Sequence, residues 1–261
     1  MKEKQSLFSL ITGNWQHFLA LVVLMVIAFA VSIFAEKLAS KKDIKEGKEP
    51  EKLLSIRKVS IIGVFSAIAF VLMLIEFPLP IAPSFYKFDF SDIPALVVGF
   101  AAGPFAGVMV EFVKVTLNIL LQGTTSAFVG EIANFLIGAS FVSVASIIYR
   151  FKKTRKTALI GCLAATLFIT FAGAFLNAYF MIPAYAVMFG GVENILSAGT
   201  AIYSFVDNVF TFCLFCVAPF NLVKGIIHSV ITFLIYKQLS PILKAEAFGP
   251  AKKSKTVAAN E

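Results

Sequence analysis

The sequence predicts an all-α integral membrane protein, a six-span helical bundle carrying one extra transmembrane helix at its N-terminus. Three observations predict it. Of 261 residues, 59% are hydrophobic, and the mean hydropathy is +0.87, more apolar than a water-facing domain tolerates. The apolar residues also fall in blocks long enough to cross a bilayer, for which a helix needs about 20 residues. The third observation is where the +8 net charge sits. Basic residues gather in 36–58, 150–157 and the tail from Lys237, each beside an apolar block, as the positive-inside rule places them. That distribution argues against nucleic acid as the partner of the basic residues.

The first apolar block runs from Trp15 to Phe34. Only Lys2 and Lys4 precede it, while a basic cluster from Lys37 to Lys58 follows, the reverse of a cleavable signal peptide. It reads as an uncleaved accessory helix (1–35) with its N-terminus outside. The linker 36–58, with Lys-Glu-Gly-Lys-Glu-Pro-Glu-Lys at 45–52, has little to bury and is expected to be mobile and cytoplasmic. The bundle occupies 59–244 and a basic cytoplasmic tail 245–261.

Within the bundle the apolar blocks are 59–76, 93–121, 130–149, 158–182 and 195–238. At about 1.5 Å per residue, 93–121 would be about 43 Å long against a hydrocarbon core of about 30 Å. Gly103-Pro104 interrupts it, and an interior proline breaks or kinks a helix. Charge decides the count. Arg150 to Lys156 belongs on the side of 36–58, which requires an even number of crossings between them. Splitting 93–121 at Gly103-Pro104 supplies it. The tail shares that side, so 158–182 and 219–238 are the last two spans. Pro219 interrupts the block 195–238, and residues 183–218 become an outer segment, partly helical, across the mouth of the bundle.

Ionisable residues inside spans are expensive, about 2.5–3.5 kcal/mol each on insertion scales, and mark function by default. Glu111 and Lys114, three apart on a helix, are read as pairing with each other. Lys224 has no acid within four residues, and Asn221 lies one turn before it, in a helix expected to begin at Pro219. An amide and an ammonium so placed suit a ligand offering carbonyl and N–H groups, whereas an interfacial lysine would merely snorkel. Asn177, with Tyr179 close behind, lies near the outer end of its span. Glu131 and Asn134 share a face at the start of another. The loop 77–92 contributes Leu79, Phe85, Lys87 and Asp89, and its three prolines make it a semi-rigid lid. Asp207 is a further acid in the outer segment. These groups converge on the outer half, which points to capture from outside. Gly63 and Ala67 form a small-x-x-x-small pair that lets another helix approach closely. Cys213 and Cys216 form a C-x-x-C among apolar neighbours without further ligands, so they and Cys162 read as small buried side chains.

Phe88-Asp89-Phe90-Ser91-Asp92-Ile93-Pro94-Ala95-Leu96, Gly103-Pro104-Phe105-Ala106-Gly107 and Gly130-Glu131-x-x-Asn134-Phe135 together resemble the substrate-binding S component of energy-coupling-factor (ECF) vitamin transporters. Pro219-Phe220-Asn221-x-x-Lys224-Gly225 resembles the riboflavin-specific type. The resemblance covers about 57–244. It implies a six-helix fold in which Asn177, Asn221 and Lys224 hydrogen-bond the isoalloxazine edge and 77–92 covers the ligand. It also implies that Gly63 and Ala67 contact a transmembrane T component, and that two ATPase subunits complete an importer. The helix at 15–34 and the long outer segment depart from the common plan.

A flavin fits these residues chemically: a pyrimidine edge of carbonyls and one N–H for amides and an ammonium, and an apolar end for Phe and Leu. No Gly-x-x-x-x-Gly-Lys-Ser/Thr is present, so ATP hydrolysis is expected from partners and the chain itself is expected to be no enzyme. No catalytic set, metal site or cofactor is expected; riboflavin or its phosphate, FMN, is the transported ligand, with Lys87 available to a phosphate. The readings left open are an S component for another vitamin, an intramembrane enzyme, for which His17 and His228 lack evident partners, and a purely structural subunit. The expected place is the cell membrane, with the C-terminus cytoplasmic.

Overall fold

A computed structural model describes residues 15–47, 49, 52–124 and 126–244. The expected basic tail 245–261 and part of the 45–52 run lie outside them. The chain is a bundle of helices, and six of those described are long and apolar enough to cross a membrane: 18–45, 56–73, 104–122, 129–151, 155–186 and 209–236. A shorter apolar helix, 92–102, completes a set of six behind the N-terminal helix.

Helix α1 (Trp15–Lys45) runs past its expected end at Phe34, so the first part of the presumed linker is helical rather than mobile. Tertiary contacts explain the difference. Glu36 is buried and pairs with Lys58 (3.6 Å) and Arg150 (3.5 Å). Arg150 also meets Asp43 at 2.7 Å, and Lys42 donates to the Phe151 carbonyl. Higher up, Phe29 packs on Phe112 and Phe135. Here α1 lies against α4 (Pro104–Gln122) and α5 (Val129–Phe151).

Helix α2 (Ile56–Met73) starts at Ser55, whose side chain accepts from the Lys58 N–H. The chain then forms a two-residue ribbon, β1 (Phe77–Pro78) paired antiparallel with β2 (Lys87–Phe88). From Phe88 it turns inward: Phe88, Asp89, Ser91 and Asp92 are all buried. The expected lid therefore also plunges into the bundle, which is why α3 (Asp92–Ala102) needs only 11 residues, about 16 Å, to reach the far end. The break at Gly103-Pro104 falls where expected. Gly103 has φ +101°, open to glycine, and Pro104 occupies the first turn of α4, where its missing N–H costs nothing.

Thr154 caps α6 (Arg155–Leu176) in a capping box with Thr157. This helix continues through a wide π-turn, Asn177–Met181, into α7 (Ile182–Phe189). After the short α8 (Val192–Thr200), Asn208 caps α9 (Val209–Phe212), which passes through a second π-turn, Cys213–Val217, into α10 (Ala218–Lys244). The expected outer segment 183–218 thus shrinks to the stretch between Phe189 and Val209, and Pro219 does not begin a helix. Both π-turns end two residues before a proline, Pro183 and Pro219. A wide turn accommodates the ring and absent N–H that would otherwise break the helix.

The parity argument is met by geometry. Glu36, Lys58 and Arg150 meet at one end, and Tyr236, late in α10, contacts Tyr149 and the Phe100 carbonyl there. The loop 77–91 and the α4–α5 connection lie at the other end. Cys162, Cys213 and Cys216 are buried and unbridged, as small side chains should be.

Candidate binding site

At the end away from the basic cluster, a cavity of about 520 Å³ opens between the 77–91 loop, the upper turns of α4, α5 and α10, the π-turn after α6, and α7. That size suits a drug-sized ligand. Asn177, Asn221, Lys224, Glu131, Asn134, Phe85, Lys87 and Asp89 all line it. Asn177 opens one π-turn and Asn221 follows the other. Asn177 Nδ2 donates to the Gly173 carbonyl (2.8 Å), and Asn221 Nδ2 donates to the Val217 carbonyl (3.0 Å). Gly173 also makes room for Asn221: a Cβ there would lie 2.7 Å from its Nδ2. The sequence separates these amides by α7, α8 and α9; the fold sets them side by side.

Tyr86 is a cavity residue that sequence reasoning missed. Its hydroxyl donates to Asn177 Oδ1 at 2.6 Å, pinning the loop to α6. Burial holds its phenol well above the usual tyrosine range, which keeps it a donor. Its place between Phe85 and Lys87 in a proline-rich loop was the available signal. Asn118 and Gln122 of α4 are likewise new. With Glu131 and Asn134 they form a second polar wall. On that wall Glu131 accepts from the Ser126 hydroxyl (2.6 Å), while Asn134 Oδ1 is buried with no partner among the described residues.

Two expected contacts fall elsewhere. Tyr179 is 63% exposed and contacts Phe175, facing outward from the bundle, because it lies two positions after Asn177 and so on the opposite side of the helix. Leu79 packs in the aromatic cluster around Phe88 and Phe212, behind the lining. Asp207 joins the cap of α9 through Asn208 and Thr211, away from the cavity. Lys87 lines the cavity but is already paired with Glu76. Gly63 and Ala67 lie on the exposed face of α2, with nothing within 4 Å of a Cβ built on Gly63.

The ionic pairing needs correction too. Glu111 does meet Lys114, at 2.6 Å, but not exclusively. Lys114 also holds Asp92 (2.5 Å) and donates to Ser91 Oγ (2.7 Å). Asp92 in turn pairs with Lys224 at 3.0 Å and lies 3.3 Å from His228 Nδ1. His228 Nε2 donates to the Asp89 carbonyl (2.7 Å). Lys224 therefore has an acid, and His228 has partners, supplied by α3 and the loop instead of their own helix. Sequence proximity could not show them.

A membrane bundle with a cavity at one end, amides and an ammonium on its wall, defines an intramembrane ligand-binding protein. The comparisons place it more closely. The chain belongs to the family described as ECF transporter, substrate-specific component, which it matches over residues 57–236. It is 34% identical over 198 residues to the riboflavin transporter RibU of Staphylococcus aureus strain TCH60, covering 76% of this chain and 98% of that one. It is 31% identical to the riboflavin transporter FmnP of Bacillus subtilis strain 168, covering 74% and 97%. A solved structure described as "Structure and mechanism of the S component of a bacterial ECF transporter" superposes with a TM-score of 0.57 at 34% identity, over 72% of this chain and 98% of that one. Helix α1 precedes the matched region.

Proposed function

We propose that the chain captures riboflavin at the cavity end of the bundle, as the specificity subunit of an ATP-driven importer. The observation that carries this reading is the wall formed by Asn177, Asn221 and Lys224. A flavin's pyrimidine edge alternates carbonyls with one N–H, and two amides and an ammonium can satisfy each of them. Aromatic side chains at Phe85, Tyr86 and Phe220 offer the ring system apolar contact. The second wall, with Asn118, Gln122, Glu131 and Asn134, suits a chain of hydroxyls. The names of the two curated relatives support the same ligand class.

Riboflavin is favoured over its phosphate. Lys87, the cation a phosphate would need, is engaged by Glu76. Glu131 presents a carboxylate that no lysine or arginine among the described residues neutralises. The cavity end faces outside and the basic end the cytoplasm, by the positive-inside rule; the N-terminus is then outside and the C-terminus inside. A T component docks on α2 at Gly63 and Ala67, and two ATPase subunits supply the hydrolysis. The test is to express the chain with riboflavin in the medium, purify it and identify any yellow chromophore by absorbance and mass. Protein that stays colourless, and quenches no flavin fluorescence on titration, refutes the reading.

A further inference from the structure

Lys224 is an ammonium 4% exposed in a membrane bundle, and isolated charges are not left in such places. Its counter-charge comes from Asp92, at the N-terminus of α3, through an ion pair of 3.0 Å. At that distance one N–H of the ammonium is directed at the Asp92 carboxylate. The carboxylate thus supplies the counter-charge and takes up one donor. Lys224 lines the cavity, and its two other N–H donors remain for a ligand. Asp92 is fixed from the other side. Lys114 binds its Oδ1 at 2.5 Å, and Ser91 and Glu111 hold Lys114 in turn. His228, beside the same carboxylate, bonds the backbone of Asp89, itself a lining residue.

From this we infer that Asp92 is a positioning residue for ligand recognition: it never touches the ligand, but sets where the Lys224 ammonium stands in the cavity and how many donors it presents. The inference rests on the flavin reading of Lys224 given above. In this arrangement α3, α4, α10 and the inner end of the loop share one buried ionic cluster, so the donor is placed by three helices at once. Without Asp92 the ammonium would turn toward Glu111 or lose its place at the wall, and ligand affinity would fall although every contacting residue was still present.

The test is a double-mutant cycle on riboflavin affinity, read by fluorescence quenching in detergent-purified full-length protein. Asp92→Asn in the otherwise native chain is expected to weaken binding tenfold or more. In a Lys224→Met background the same change is expected to cost less than threefold, because the residue through which Asp92 acts is gone. Multiplying losses, or no loss in the native background, overturn the inference. A merely structural role for Asp92 predicts multiplication. Asp92→Glu, which preserves the charge but moves the carboxylate, is run through the same cycle in case the amide variant does not fold, with the same expected pattern. Native protein that fails to bind riboflavin would instead remove the flavin reading itself, an outcome distinct from a failed cycle.

Discussion

Replacing Asn221 with alanine is the sharpest test of the binding wall. The amide is 3% exposed and packs against Gly173. One of its N–H groups is committed to the Val217 carbonyl; the other, and the carbonyl oxygen, remain for a ligand. Asn221→Ala removes both at once. A buried ligand carbonyl or N–H left unpaired costs about 1–3 kcal/mol, and at about 1.4 kcal/mol per tenfold the dissociation constant rises by roughly tenfold to a hundredfold. The change also frees the Val217 carbonyl in the π-turn, at a cost of about 1 kcal/mol in stability, so melting is recorded alongside. Riboflavin titration by fluorescence quenching measures the affinity. Unchanged affinity in a variant that melts like the native protein would refute the reasoning, and the amide would then be only a partner of its own π-turn.

Other perturbations separate binding from docking and folding. Gly63→Leu or Ala67→Leu should leave riboflavin affinity unchanged yet abolish uptake by cells, since both face outward on α2 and a large side chain blocks helix approach; lost binding would assign them to the pocket. Arg150→Ala removes one cation from Glu36, which keeps Lys58, and the Arg150 hydrogen bond from Asp43, and should lower stability by about 2 kcal/mol, seen as a lower melting temperature, with α1 more open to protease. Tyr86→Phe breaks the bond to Asn177 and should weaken flavin binding severalfold. The pH dependence has a definite sign. The folded state holds the Tyr86 proton more tightly than the unfolded chain does. Its contribution is therefore full below the unfolded value of about 10 and lost as pH rises past it. Thermal melting at alkaline pH should decline less steeply in Tyr86→Phe than in the native protein.

The sequence by itself determined the membrane class, the split at Gly103-Pro104 and the shared side of the basic clusters. These follow from hydropathy, span length and charge, all local quantities readable along one dimension. It also nominated Asn177, Asn221, Lys224, Glu131 and Asn134, since polar groups in apolar helices are costly enough to stand out wherever they fold. The tertiary structure decided what these groups touch. Lys224 and Asp92 are far apart in the chain, and only the inward plunge of residues 88–92 brings them together. Tyr86 became a pocket residue because the folded loop sets its hydroxyl on Asn177. Helix α1 outran its apolar stretch because Glu36 and Asp43 found cations on α2 and α5. In each case an energy depended on a partner distant in sequence, and pattern along the chain carries no record of that partner.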